Sequence, residues 1–253
     1  MKPSPVPTAA QRRKFKRRLL TWFRRHGRDL PWRRTRDPYR ILVAEIMLQQ
    51  TQVSRVERYW PRFLGAYPTI HHLARATPAR VRESWSGLGY YRRAGNLHQL
   101  ARDVVTNHGG ELPPDAVTLR SLPGVGTYTA GAVASFAFEL AEPAIDTNVA
   151  RVLRRVFHPE IVKGRAGERV LHATAKALVP RRGRNAWITN QALMELGALV
   201  CTARVMRCGA CPVRSTCQTA LATLPARAST ASVKGARNQR DQPEDSRHRT
   251  GCN

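Results

Sequence analysis

The stretch Leu122-Pro-Gly-Val-Gly-Thr-Tyr-Thr-Ala-Gly131 decides the fold, because it combines two glycines at a tight turn with the start of a helix. Gly124 and Gly126 permit positive φ at a bend where a side chain would clash. Thr127, or the threonine two residues later, can begin the helix that follows. The backbone N–H groups of Gly124, Val125 and Gly126 are then free to bind an anion such as a phosphate. An ordinary turn between two helices is the alternative interpretation.

The charge of the chain indicates a polyanionic partner. It has 43 Lys plus Arg against 17 Asp plus Glu, a formal charge of +26 over 253 residues. Nucleic acid is favoured over an anionic membrane, because the basic residues are scattered and do not lie on one amphipathic segment. A GC-rich genome is an alternative source of part of the arginine excess.

No segment predicts export or membrane insertion. The basic N-terminus is not followed by an apolar run with a cleavage site, and no apolar stretch is long enough to cross a bilayer. We therefore expect a protein of the bacterial cytosol or nucleoid with no membrane partner.

Four of the five cysteines, Cys201, Cys208, Cys211 and Cys217, lie within one short segment, whereas Cys252 lies far from them. In a reducing compartment such a cluster indicates a metal site. Only one pair is separated by two residues, unlike the paired knuckles of most structural zinc sites. Ligand chemistry alone favours a [4Fe–4S] cluster but leaves zinc open.

Helical periodicity dominates the chain, and we find no convincing strand, so the predicted fold class is all-α. We expect disorder over residues 1–10, a helical core over residues 11–217 and a disordered basic tail over residues 218–253. Within the core the pattern predicts helices over Tyr39–Gln50, 53–63, 78–85, 168–180 and 187–200, and another that starts within 86–93.

Glu45 is an unusual carboxylate, because it lies at the edge of the apolar face formed by Ile41 and Leu48 on one helix. Partial burial disfavours the charged form and raises the pKa, which suits a general acid near neutral pH. A glutamate that reaches water or pairs with an arginine is the alternative.

Three further motifs carry groups suited to a nucleic-acid base. Leu30-Pro-Trp-Arg33 places an aromatic ring beside a cation, as in a pocket for a flat base. The amides that follow Leu48 can probe base edges or fill a gap in a stack. Tyr90 and Tyr91 beside two arginines suit stacking and phosphate contact, although a turn with one buried tyrosine explains them too.

Asp146 opens another helix and is a good N-cap. A capping carboxylate that helix N–H groups hold ionised is also a good stabiliser of developing positive charge.

Taken together, these motifs resemble those of the MutY-type adenine DNA glycosylases, within the helix-hairpin-helix, endonuclease III-like superfamily. The resemblance covers about Phe15 to Cys217. It rests on Leu30-Pro-Trp-Arg33, Glu45-Ile-Met-Leu-Gln-Gln-Thr-Gln-Val53, Gly87-Leu-Gly-Tyr-Tyr91, Leu122-Pro-Gly-Val-Gly-Thr-Tyr-Thr-Ala130, Asp146-Thr-Asn148 and the four cysteines.

The resemblance implies two helical subdomains with a DNA-binding cleft and a [4Fe–4S] cluster held by the four cysteines in the loop 201–217. The implied activity is removal of adenine mispaired with 8-oxoguanine or guanine in double-stranded DNA, by a monomeric enzyme. The base must leave the helix to be reached.

The resemblance also implies residue roles. Glu45 would protonate the adenine and then help to activate water, and Asp146 would stabilise the oxocarbenium-like sugar, as the two carboxylates of glycosidases do. Tyr128 and Asn148 would orient these carboxylates. The remaining matches are Leu30, Trp32, Arg33 and Gln191 as walls of the adenine pocket, Gln50 as the residue that fills the gap in the duplex, and Tyr90 as a wedge beside the opposite base.

Two departures from related patterns matter. Endonuclease III-like lyases carry a lysine at the position of Tyr128, where its amine forms a Schiff base, so we expect glycosylase activity without strand cleavage. Most MutY-type relatives also have a C-terminal Nudix-like module that recognises 8-oxoguanine. Only 36 residues follow Cys217, too few for such a fold, so we expect a weaker preference for 8-oxoguanine.

Two other functions stay open at this point. One is a thymine glycosylase of the same fold that acts on T:G mismatches. The other is a non-catalytic iron–sulfur protein that binds DNA, which the presence of both carboxylates disfavours.

Overall fold

A computed structural model describes residues 6–181 and 183–222. Throughout these ranges the regular structure is helical, with no strand and only one isolated bridge, between Cys201 and Met206. Short 3₁₀ turns cover Pro31–Arg33, Cys208–Ala210 and Arg214–Thr216. The α-helices are α1 (Ala9–His26), α2 (Pro38–Leu48), α3 (Val53–Ala66), α4 (Ile70–Arg75), α5 (Pro78–Ser84), α6 (Arg92–Asn107), α7 (Ala116–Ser121), α8 (Thr127–Phe136), α9 (Thr147–Phe157), α10 (Arg165–Leu178), α11 (Gly183–Leu199) and α12 (Gln218–Ala222).

The helices bury two separate hydrophobic cores, which define two helical subdomains. Residues from Leu30 to Ala144, in α2 to α8, form the first core around side chains such as Trp85. α1 joins α9 to α12 in the second core, where Phe15 contacts Phe157 edge to face. The chain thus begins with a helix of the second subdomain, then forms the first subdomain, and completes the second with α9 to α12. None of the helices in the described ranges is long and apolar enough to cross a membrane.

Capping residues set the starts of the helices that carry the site. The Asp37 carboxylate accepts a hydrogen bond from the Arg40 N–H at the start of α2, where Pro38 occupies the first turn. Asp146 accepts from the Val149 N–H at 2.7 Å and starts α9, which confirms the predicted cap. Each cap satisfies a backbone donor that the helix itself leaves unpaired.

The turn between α7 and α8 has the predicted hairpin form, with corrections at Gly126 and Val125. Gly124 has a φ of +77°, and a Cβ there would lie 2.7 Å from the Asn96 Cβ. Gly126 has an ordinary φ of −88° and is the N-cap of α8, which begins at Thr127 as predicted but without a side-chain cap. Within the described residues the N–H groups of Gly124 and Gly126 have no hydrogen-bond acceptor, as expected. The expectation is wrong for Val125, because its N–H closes the turn by donating to the Leu122 carbonyl at 3.1 Å.

Several boundaries differ from those read from the pattern. The predicted disorder is wrong at residues 9–10, where α1 begins because Thr8 and Gln11 form a capping box. It is also wrong at residues 218–222, which form α12. Short α4 was not predicted. α6 begins only at Arg92, because the preceding residues form a turn with three positive φ angles. The predicted disorder over residues 1–5 and 223–253 lies outside the described residues.

Candidate active site

One open pocket of about 500 Å³ lies where the two subdomains meet. The Leu30–Arg33 turn, the end of α2, the start of α8, the segment before α9 and one face of α11 line it. Of the residues singled out from the sequence, this pocket brings together Glu45, Asp146, Tyr128, Asn148, Leu30, Trp32, Arg33, Gln191 and Gln50.

Glu45 is buried on this pocket wall, with 4% of its surface exposed. Its Oε2 accepts a hydrogen bond from the Tyr128 hydroxyl at 2.6 Å, because α2 packs against α8. Among the described residues Glu45 forms no ion pair, so neither alternative from the sequence applies. Burial raises the pKa of Glu45 to about 7, with the Asp146 charge adding to the rise, while the Tyr128 hydroxyl and Arg33 oppose it.

Asp146 combines its capping role with a place in the same pocket. Its second oxygen, Oδ2, accepts a hydrogen bond from the Asn148 side-chain amide at 2.7 Å. Burial raises the pKa of Asp146 above its ordinary value, although hydrogen bonds from Val149 and Asn148 work against the rise. The capping interaction alone predicts a lower pKa, so the direction differs from the expectation for a cap because desolvation outweighs it.

Asn148 is held in turn by Arg151. The Arg151 guanidinium donates to the Asn148 Oδ1 at 2.7 Å, to the Gly197 carbonyl at 2.8 Å and to the Cys201 carbonyl at 2.8 Å. A side chain on Gly197 would collide with Asn148, so α9 and α11 can approach this closely only with glycine there.

The opposite wall of the pocket is an ion-pair cluster. The Arg33 Nε donates to the Gln191 side-chain oxygen at 2.7 Å, and its Nη2 donates to Glu195 at 2.7 Å. Arg28 donates to the other Glu195 oxygen through its Nε at 2.6 Å. Burial acts to raise the pKa of Glu195, but hydrogen bonds and charges from Arg28 and Arg33 outweigh it and lower that pKa.

Arg28 and Glu195 were missed from the sequence. Glu195 has no exposed side-chain surface and lies four residues after Gln191 on α11. An acidic residue among the apolar positions of a helix was the pattern that identified Glu45, and the same pattern was available here.

Tyr90 lies outside the main pocket. It is 61% exposed and lines a neighbouring depression together with Gln49, Gln50, Tyr91, Arg92, Arg93 and Asn96. Gln50, which is also exposed, borders both this depression and the main pocket, as Gln49 does.

The four cysteines of the 201–217 loop line a second, smaller pocket. Burial raises the pKa of the Cys211 thiol to about 11, and the other three thiolates add to the rise, so the thiolate forms need a cationic partner. A single tetrahedral ion needs tightly clustered ligands, because Zn–S bonds are about 2.3 Å long. No three His, Cys, Asp or Glu side chains in the described ranges are arranged for one ion. As a donor set, four cysteine thiolates fit a [4Fe–4S] cluster, in which each thiolate binds one iron.

The helical fold, the hairpin between α7 and α8 and the two buried carboxylates in one pocket agree with the helix-hairpin-helix fold that the sequence predicts. Residues 43–180 match the family model described as "HhH-GPD superfamily base excision DNA repair protein". The chain belongs to this superfamily.

Relatives agree with this assignment. The chain is 46% identical to an adenine DNA glycosylase of Mycobacterium tuberculosis (strain CDC 1551 / Oshkosh), an alignment that covers 77% of this chain and 64% of that protein. It is also 46% identical to an adenine DNA glycosylase of Mycolicibacterium smegmatis, with coverages of 82% and 70%. The structure of a thermostable thymine-DNA glycosylase is similar with a TM-score of 0.78 and 31% identity, covering 84% of this chain and 98% of that one. The chain thus spans just under two thirds of the M. tuberculosis relative.

Proposed function

We propose that this chain is a monofunctional DNA glycosylase that hydrolyses the N-glycosidic bond of adenine mispaired with 8-oxoguanine or guanine in double-stranded DNA. The observation that carries the proposal is the buried Glu45, whose pKa of about 7 leaves much of it protonated at neutral pH, beside Asp146 in a pocket of about 500 Å³. The names of the relatives that are 46% identical support adenine as the base.

In this proposal Glu45 donates its proton to the adenine ring, because a neutral base is a better leaving group than an anion. The Tyr128 hydroxyl keeps the carboxyl oriented. The resulting carboxylate then accepts a proton from the water that attacks the sugar, so one residue serves as acid and then base.

Asp146 stabilises the positive charge that develops on the sugar as the base departs. The hydrogen bonds from Asn148 and the Val149 N–H fix its two oxygens before the reaction, so no reorganisation is needed when charge appears. In this pocket Leu30 and Trp32 provide apolar walls for the base, and Arg33 and Gln191 provide polar groups for its edge.

Tyr128 cannot form a Schiff base with the sugar, because its side chain is a phenol and not an amine. Borohydride reduction of the protein on substrate DNA is then expected to give base release without a protein–DNA cross-link. A cross-link lost on replacing a single lysine would contradict the monofunctional assignment.

We further propose that Cys201, Cys208, Cys211 and Cys217 hold a [4Fe–4S] cluster. When bound, the cluster supplies four iron–thiolate bonds that tie the loop to the second subdomain and stabilise its fold. Iron and sulfide analysis of anaerobically purified protein is expected to give about four of each per chain. Stoichiometric zinc without visible absorption would contradict the cluster.

DNA is the proposed partner, bound by a monomer. The free amides of Gly124 and Gly126 are suited to a backbone phosphate. The charge of +26 supplies long-range attraction, and affinity is expected to fall steeply with salt. A location in the bacterial cytosol or nucleoid stays a prediction.

A thymine glycosylase is the second candidate, because the chain is 31% identical to the thymine-DNA glycosylase of known structure. Single-turnover base release from duplexes with adenine or thymine opposite guanine or 8-oxoguanine separates the two. Release of adenine alone supports the first proposal, release of thymine alone supports the second, and release of neither contradicts both. The relative rates opposite guanine and 8-oxoguanine also test the expected opposite-base preference.

A further inference from the structure

Two exposed residues next to the pocket have unusual backbone conformations. Gln50 has a φ of 56° and Tyr90 a φ of 47°, and only Glu139 shares this property among the described non-glycine residues. A side chain makes this left-handed region unfavourable. Such a conformation persists when the surrounding structure holds it in place, and it is common where a side chain must be aimed at a ligand.

Arg93 holds the turn that contains Gln50. Its Nη1 donates to the carbonyls of Ile46 at 2.9 Å, Met47 at 2.8 Å and Gln49. Ile46 and Met47 lie in the last turn of α2 and Gln49 follows it, so these carbonyls accept no hydrogen bond from within the helix. Arg93 therefore caps α2 from outside and fixes the peptide that leads into Gln50.

The same guanidinium holds the turn that contains Tyr90. Its Nη2 donates to the carbonyls of Leu88 at 3.3 Å and Gly89 at 3.2 Å, and to the Thr51 hydroxyl at 3.0 Å. The Tyr90 ring lies over it, with 5.4 Å from the Arg93 Cζ to the ring centroid. One side chain thus joins both unusual turns.

Arg93 is also an uncommon kind of buried charge. It is 8% exposed, and in the described part of the chain no carboxylate pairs with it. A buried charge without a counter-ion is costly unless hydrogen bonds compensate. Here the compensation comes from backbone carbonyls at the negative end of α2, so the position of the cation depends on both turns being formed.

We propose that Arg93 is a positioning residue that holds Gln50 and Tyr90 ready to enter a DNA duplex together, so that base extrusion depends on it. This inference rests on the proposed function. Gln50 would fill the space left by the extruded base while Tyr90 separates the opposite base from its neighbour. Preorganisation by Arg93 removes the cost of ordering two loops at the moment of binding.

Lysine cannot replace Arg93 in this role. Its ammonium has three donors on one atom, whereas the planar guanidinium reaches carbonyls on two sides at once. Arg93→Lys therefore keeps the charge and loosens at least one of the two turns. Arg102→Lys, on the exposed side of the same helix, is the matched control.

The test compares two duplexes with the full-length protein. In the first, adenine lies opposite guanine and must be extruded from a stack. In the second, adenine lies opposite an abasic-site analogue, where extrusion is less costly because no pairing partner is lost. Arg93→Lys is expected to lower single-turnover base release about tenfold on the first duplex and less than about twofold on the second, because the second needs less help with extrusion. A tenfold rate change corresponds to about 1.4 kcal/mol. Arg102→Lys is expected to match the wild type on both.

Equal losses on the two duplexes, or no loss on the first, would overturn the inference, because a general disturbance of the pocket lowers both rates alike. If Arg93→Lys does not fold, Thr51→Val removes one of the same hydrogen bonds, and the same unequal loss is expected at smaller size. No release by the wild-type protein from either duplex contradicts the proposed function, whereas release with equal losses contradicts only the role of Arg93.

Discussion

Each of the two pocket walls buries a glutamate, but the pKa of one glutamate is raised and that of the other is lowered. Glu45 has one hydroxyl partner, from Tyr128, and burial raises its pKa to about 7. Glu195 is fully buried but receives hydrogen bonds from Arg28 and Arg33, which lower its pKa. Burial alone therefore does not decide protonation, because the number and charge of the donors do.

The difference assigns different work to the two carboxyl groups. A glutamate that is partly protonated at neutral pH can transfer a proton, whereas a glutamate locked between two guanidinium groups can only hold them in place. Arg33 in turn holds Gln191, so in the proposed function the Glu195 wall shapes the base pocket while the Glu45 wall performs the chemistry. Substitutions on the two walls should therefore fail in different ways.

The largest effect is expected from Glu45→Gln. The amide keeps the shape and the hydrogen bond from Tyr128 but is far too weak an acid to transfer a proton, so base release is expected to fall by about 10²- to 10⁴-fold. We expect DNA affinity to rest mainly on phosphate contacts and therefore to stay nearly unchanged. Single-turnover release and a salt-titrated binding assay measure the two quantities. Near-normal release would remove Glu45 from the mechanism.

Glu195→Gln is expected mainly to lower the free energy of unfolding. It leaves the nearly buried Arg33 and the partly exposed Arg28 facing a neutral amide, and breaking a buried pair typically costs about 3–5 kcal/mol. Glu139→Gln is the matched control, because its pair with Arg36 is about 40% exposed on both sides and such pairs contribute about 0–1 kcal/mol. Urea unfolding of the two variants gives the comparison. Similar losses of unfolding free energy in the two variants would contradict a larger contribution from the Glu195 cluster than from the exposed pair.

The pH dependence of stability gives a third effect, of about 3 kcal/mol. The pKa of Glu45 rises from 4.5 to about 7 on folding, so the folded state binds more protons between these values. Stability is then expected to fall as pH rises from about 4.5 to about 7, at about 1.4 kcal/mol per pH unit. Glu45→Gln should remove this part of the dependence, as urea unfolding at several pH values would reveal. Parallel curves for variant and wild type would contradict the raised pKa.

A smaller shift is expected from Tyr128→Phe. The hydroxyl lowers the pKa of Glu45, so its loss should move that pKa further up. The rate of base release, which needs the protonated acid, should then persist to a pH higher by about one unit or less, because one hydrogen bond contributes about 1 kcal/mol. A pH–rate profile that moves toward acid would contradict this arrangement.

Much of this comparison could be predicted from the sequence, and the limits have physical causes. Glu45 was found because it interrupts an apolar helix face, and Asp146 because it precedes a helix. The hairpin was found because Gly124 has no substitute at positive φ. These are local patterns, which the chain displays without reference to its fold.

The Glu195 cluster was not found, because its meaning depends on partners about 160 positions away along the chain. The pattern around residue 195 marks an acidic residue on an apolar face, but nothing local indicates that two arginines meet it. The upward direction of the Asp146 pKa was missed for the same reason, since burial is set by packing of the two subdomains. The Arg93 contacts likewise join α2 to a turn that follows three helices later.

The most direct test of the opposite pKa shifts of Glu45 and Glu195 is a titration of the two glutamates themselves. Protein labelled with carbon-13 at the glutamate carboxyl carbon, with resonances assigned through Glu45→Gln and Glu195→Gln, can be followed by NMR from about pH 5 to about pH 9. We expect the Glu45 resonance to titrate with a midpoint of about 7 and the Glu195 resonance to stay that of a carboxylate throughout. A Glu45 resonance that is already ionised at the acidic end, or a Glu195 resonance that titrates alongside it, would contradict the account.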